Sequence, residues 1–159
     1  RNQLQFKMIS TLVNLSVWGA QFGTQLWVTF VHGPSLFRAL SSETFQEVQS
    51  IIFPCYFLSQ SILSTALLGS YIQLRGSAQQ HFSLTRLAQN NLGIMAVLCA
   101  STASAWLHQL YLGPLVSQAL KRKDKTAFRR LHGLSMALNM GGIAASVVYL
   151  VHLARHCRL

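Results

Sequence analysis

Few side chains in this 159-residue chain are suited to metal or acid–base chemistry: six histidines, three cysteines and three carboxylates. Three imidazoles brought together, His32, His108 and His132, could ligate zinc or copper, and two of them could ligate haem. Neither an HxxxH pair nor a Cys-x-x-Cys stands with them. The expectation is therefore that each imidazole sits singly at a membrane face, bonded to a carbonyl or to water, with no metal or haem cofactor. His152, His156 and Cys157 form an H-x3-H-C cluster, but at the chain end, where side chains are rarely fixed. Catalysis has little footing, because Glu43, Glu47 and Asp124 all fall in polar connectors. Cys55 and Cys99 lie in apolar stretches and read as apolar fillers; with Cys157 at the tail they set up no disulfide framework.

Amides and hydroxyls are arranged more regularly. Asn14, Trp18, Gln21, Gln25, Thr29 and His32 follow one another at steps of three or four, which puts them on one helix face. His132, Ser135, Asn139, Gly142 and Ser146 make a second such stripe, and Ser101, Ser104 and His108 a third. An unpaired amide in hydrocarbon costs several kcal/mol, so these faces must look at other helices or at water. The stripe residues Asn14, Gln21, Gln25, Thr29, Ser135 and Asn139 are read first as interhelical hydrogen bonding and second as a polar path, and Asn139 is expected to bond across to the first helix. Ala137, Gly141 and Ala145 form a small-xxx-small ridge suited to close helix contact.

The elements that carry these stripes are free of Asp, Glu, Lys and Arg over residues 8–37, 48–74, 87–120 and 131–154. A helix needs about 20 apolar residues to cross the hydrocarbon, and every window exceeds that. Charged residues make up 10% of the chain and hydrophobic ones 51%, against about 25% charged in a typical soluble domain. The predicted fold is an all-α, integral membrane four-helix bundle forming one domain over 1–159, with spans at about 8–31, 48–74, 87–112 and 131–153. Gly33-Pro34 and Gly113-Pro114 are expected to end spans one and three, Ser42 to cap the second span, and Pro54 to kink it. No repeat or low-complexity stretch is legible.

An even number of spans puts both termini on one side. That side holds Arg1, Lys7, Arg75, Arg86, Arg155 and Arg158; the other holds Arg38, Lys121, Arg122, Lys123, Lys125, Arg129 and Arg130. Six basic residues against seven assign no orientation. The net charge of +10 and the dense run from Lys121 to Arg130 fit anionic lipid head groups such as cardiolipin, or an acidic partner subunit. Only Phe128 interrupts that run as an aromatic, so nucleic acid is not an expected partner.

Against known families, the stretch Gly23 to Val31 (GTQLWVTFV), with Trp27, Thr29 and Phe30, followed by Leu36-Phe37-Arg38, resembles the first span of the transmembrane protein 205-like family. Phe45, Val48, Gln49, Phe53-Pro54 and Tyr56-Phe57 resemble its entry to the second span, and His132-Gly133-Leu134-Ser135 with Asn139 its last-span motif. Trp106 and Pro114 carry the likeness in span three. The resemblance implies a four-helix integral membrane protein of a family with no established enzyme activity; a role in export of, or resistance to, metal-containing drugs has been associated with that family. His32, and the short loop before the last span, depart from the family pattern. Three functions remain in play: an accessory subunit of a larger complex in an organellar membrane, with the mitochondrial inner membrane favoured; a transporter whose path is lined by Gln21, Gln25, Ser135 and Asn139; and a haem or metal carrier.

Overall fold

The computed structural model describes residues 2–76 and 92–156, and among these every regular element is helical. Helix α1 (Asn2–Leu26) runs into a π-helical turn (Trp27–His32) and then α2 (Gly33–Ala39). After a turn at Leu40 and Ser41 the chain returns as α3 (Ser42–Gly76). Helix α4 (Leu92–Leu107), a second π turn (His108–Leu112) and α5 (Gly113–Lys121) follow, and α6 (Lys125–His156) closes the fold.

Proline explains both π turns. Pro34 and Pro114 lack an N–H, and their rings would crowd the carbonyl four residues back. Widening the helix by one residue relieves that crowding without ending it: the Gly33 N–H donates to the Val28 carbonyl, and the Gly113 N–H to the His108 carbonyl. A Cβ on either glycine would stand 3.2 Å from that oxygen. The two Gly-Pro pairs therefore start new helices instead of ending spans, and the first chain reversal moves out to Leu40 and Ser41. Ser41, not Ser42, caps α3: its Oγ accepts from the Thr44 N–H at 3.3 Å, and its carbonyl from the Phe45 N–H at 2.8 Å. Pro54 lies inside α3, which continues unbroken around it.

At about 1.5 Å per residue, the 35 residues of α3 and the 32 of α6 extend well past a hydrocarbon core of about 30 Å. Each also contains an 18-residue stretch apolar enough to cross, with mean hydropathy 1.6 within Ser42–Arg75 and 1.7 within Lys125–Arg155. The expected spans 48–74 and 131–153 lie inside these helices. Amides dilute α1, and the π turn cuts α4 to 16 residues, so neither meets the same test alone. The expected start of span three, residues 87–91, falls outside the described residues, as do Arg86 and Cys157.

Helix α1 packs between α3 and α6, and α4 packs on the same two helices from the opposite corner. Polar and apolar residues are distributed inside out. Asn14, Gln21, Gln25, Gln49, Gln60, Ser61, Ser64, His108, Ser135 and Ser146 are buried, whereas Leu12, Trp27, Phe30, Ile51, Ile62, Leu110, Val148 and many like them are exposed. A water-soluble bundle would reverse this arrangement. The apolar part of the core, Leu67, Tyr71, Ile94, Leu98, Tyr149 and Leu153, occupies the end of the bundle near the termini.

The two halves of the chain are built alike, although no repeat is legible in the residue pattern. Both contain a helix, a π turn, Gly-Pro, a short helix, a capped turn and a long helix. Val28 and Gly33, joined by the first π bond, stand 80 positions before His108 and Gly113, joined by the second. The capping residues Ser41 and Asp124 are 83 apart, as are Phe45 and Phe128, whose N–H groups donate to the Ser41 and Asp124 carbonyls. Three extra residues in the second turn account for the change of offset. Because α1 and α4 point the same way, a pseudo-two-fold axis running along the bundle exchanges the halves.

A buried polar core around a small chamber

Asn14, fully enclosed on α1, joins three helices: its Nδ2 donates to Ser70 Oγ on α3 at 2.9 Å, and its Oδ1 accepts from Tyr149 OH on α6 at 2.8 Å. One turn on, Trp18 Nε1 donates to the Ser146 carbonyl at 3.0 Å, and Ser146 Oγ donates to Gln25 Oε1 at 3.4 Å. Near the π turns, Asn139 Nδ2 donates to Thr29 Oγ1 at 2.7 Å while Asn139 Oδ1 accepts from Tyr56 OH at 2.9 Å. On the α3 and α4 side, Thr102 Oγ1 donates to the Ser64 carbonyl at 3.2 Å and Trp106 Nε1 to Thr65 Oγ1 at 3.0 Å. Hydrogen bonds thus join the first helical column to α3 and α6, and α3 to α4 and α6.

In the middle lies a cavity of about 30 Å³, lined by Gln21, Gln25 and Gln60, by Ser101, Ser104 and His108, and by Asn139 and Gly142 with apolar neighbours. His108 forms part of its wall. The imidazole stacks on Phe57, with ring centroids 3.4 Å apart, and its Nε2 lies 2.6 Å from Ser135 Oγ. Gly142 admits the Gln25 amide, whose Nε2 would stand 2.8 Å from any Cβ placed there. A larger, shallow groove of about 320 Å³ opens on the outer surface between α1 and α3, beside Thr24, Val28, Ile52 and Cys55.

The stripe residues are brought together: Asn14, Gln21, Gln25 and Ser135 are buried, and Thr29 and Asn139 are half-buried against each other. The histidines are not. His108 is taken up by Ser135 and Phe57, His132 stacks on Phe128 at 5.5 Å, and half-buried His32 has an enclosed Nε2 with no protein partner. Among the described residues no group of three His, Cys, Asp or Glu side chains stands close enough to hold a metal ion. At the opposite end His152 Nε2 lies 3.1 Å from an Arg75 guanidinium nitrogen and 3.3 Å from Tyr71 OH, a contact that engages the only described side chain of the expected His152, His156 and Cys157 cluster.

The small-residue ridge needs correction. Ala137 and Gly141 are exposed, and nothing approaches a Cβ on Gly141; Gly142, one position on, makes the close internal contact. Cys55 and Cys99 face outward as free thiols and fill no core. Of the family-motif positions, Gln49 joins the interior, His132 is half-buried, and Trp27, Phe30, Arg38, Pro54 and Gly133 face outward. Lys121, Arg122, Lys123, Lys125, Arg129 and Arg130 are all exposed around the turn into α6.

Sequence reasoning missed the contribution of α3. Tyr56, Gln60, Ser64, Leu67, Tyr71 and Leu74 are all buried and follow at steps of three or four. That spacing was a usable signal, but aromatic and aliphatic residues share the stripe, so its amide and hydroxyls did not stand out.

Comparison with known proteins agrees with the architecture. Transmembrane protein 205 of the zebrafish Danio rerio is 27% identical over 175 aligned positions, which cover 90% of each chain. No solved structure matches. Residues 16–125 match the family described as a domain of unknown function, DUF4149, a stretch that runs from within α1 through α5 with both Gly-Pro turns. An all-α bundle with apolar residues outside, amides inside and this match over most of its length belongs to the DUF4149, transmembrane protein 205-like family of membrane proteins.

Proposed function

We propose that all four helical columns cross the bilayer and that the protein acts by packing, as an accessory subunit of a larger complex in an organellar membrane rich in anionic lipid. The observation that carries this reading is the set of glycines on the outer face. Gly19 and Gly23 on α1, and Gly133 and Gly141 on α6 with Ala137 between them, are exposed, and a Cβ at any of the four glycines would meet nothing within 4 Å. In lipid, small residues one turn apart leave a notch into which another helix backbone can approach closely. Inside the bundle this chain uses amides and tyrosines for packing, so the outer notches serve a helix of another subunit. The exposed basic turn from Lys121 to Arg130 supports contact with acidic head groups at one face.

A transporter reading has Gln21, Gln25 and Asn139 at the chamber wall in its favour, but about 30 Å³ admits nothing of drug size. Extraction in mild detergent, native gel separation and mass spectrometry test the proposal. Comigration with a larger assembly, lost in a Gly19→Leu/Gly141→Leu variant that keeps its helicity, is the expected result. Migration of the unaltered chain alone, as a monomer, overturns it.

A further inference from the structure

The central chamber has more polar capacity than its protein partners use. Gln60 is 3% exposed and lines the chamber, yet neither its Oε1 nor its Nε2 has a protein partner; Gln21, equally enclosed, has an unpartnered Oε1. A glutamine amide has two N–H donors and an oxygen able to accept twice. Leaving such a group bare in a membrane interior costs several kcal/mol. A buried water needs roughly 10–15 Å³ and two to four polar partners. The chamber's volume of about 30 Å³ therefore suits two, and the hydroxyls of Ser101 and Ser104 can complete their bonding.

Position strengthens the case. Gln21 and Ser101 are 80 positions apart, as are Gln25 and Ala105, and all four line the chamber. This is the offset that relates the two π turns, so the chamber sits on the pseudo-two-fold axis between the halves. Membrane proteins built from repeated halves commonly place their binding site at such an interface, near helices interrupted by Gly and Pro. Among the described residues no Asp, Glu, Lys or Arg lines it, which leaves a cation without a counter-charge. We infer that the chamber between the two halves is a binding site for neutral, water-sized hydrogen-bonding molecules, held by Gln60 and Gln21, and that water fills it.

The test uses the full chain, labelled with 15N-glutamine, in detergent micelles or lipid nanodiscs. The Gln60 side-chain amide resonances are assigned by their loss in Gln60→Met, and water-selective NOE spectra are recorded. A cross-peak from water to the Gln60 amide protons is the expected result. Its absence, in spectra where exposed Gln118 shows one, overturns the inference. Thermal unfolding of Gln60→Met gives an independent reading: removing an amide that waters satisfy lowers the midpoint, whereas removing a bare one raises it. A raised midpoint likewise overturns the inference.

Discussion

Replacing Asn139 tests whether the polar core holds the helices together. Its amide is the junction of three helices: Nδ2 donates to Thr29 on the first helical column, and Oδ1 accepts from Tyr56 on α3. Interhelical hydrogen bonds in membrane proteins average about 0.6 kcal/mol and reach about 1.7. Asn139→Leu removes two of them, about 1.2 kcal/mol, and strands the buried Tyr56 hydroxyl, which adds about 1 kcal/mol or more. Tyr56→Phe removes a single bond and the hydroxyl together, so about 0.6 kcal/mol is expected from it. Once Asn139 is gone, Tyr56→Phe relieves a stranded hydroxyl and its effect turns neutral or favourable. The double variant should therefore be more stable than the sum of the singles by about 1.6 kcal/mol, the shared bond counted twice plus the stranded hydroxyl. Unfolding by a denaturing detergent added to mild-detergent micelles, followed by far-ultraviolet circular dichroism, measures all four proteins. Additive effects, or an unchanged transition for Asn139→Leu, would refute the junction.

Neighbouring glycines on α6 should respond oppositely to alanine. At Gly142 the new Cβ meets Gln25 Nε2 at 2.8 Å, so the amide must move and the same unfolding assay should register a loss of about 1 kcal/mol. At Gly141 nothing is within reach, and alanine should be neutral or up to about 1 kcal/mol stabilising. Asp124→Ala removes a cap whose Oδ1 accepts from the Thr126 and Ala127 N–H groups at 3.1 and 3.0 Å; about 1 kcal/mol should be lost, with Asp124→Asn retaining most of it. Neutralising Lys121, Arg122, Lys123 and Lys125 together should weaken binding to cardiolipin-containing vesicles at about 1 kcal/mol per charge near the surface, read as the lipid fraction needed for half-binding, without altering helicity.

How much was legible depended on whether the determining physics is local. Four charge-free windows, and amides recurring at helical spacing, fixed an all-helical, membrane-embedded bundle with polar faces turned inward. Those conclusions follow from the cost of exposing charge or amide to hydrocarbon, which each window carries in its own residues. The likeness to the DUF4149 relatives rested on short runs such as GTQLWVTFV and was equally local. Local signals also misled: Gly33-Pro34 and Gly113-Pro114 resemble helix ends, but a π turn absorbs each proline because the helix on both sides has packing partners. Only the tertiary structure decided which of two adjacent glycines, Gly141 or Gly142, meets another helix. A single residue on α6 turns the side chain by about 100°, and the facing neighbour, Gln25, lies more than a hundred positions away. The duplicated architecture was hidden for a related reason: the halves share backbone geometry and hydrogen bonds while their side chains differ, Gln21 against Ser101 and Tyr56 against Asn139. The chamber between them exists only where four helices meet, so no one segment could disclose it.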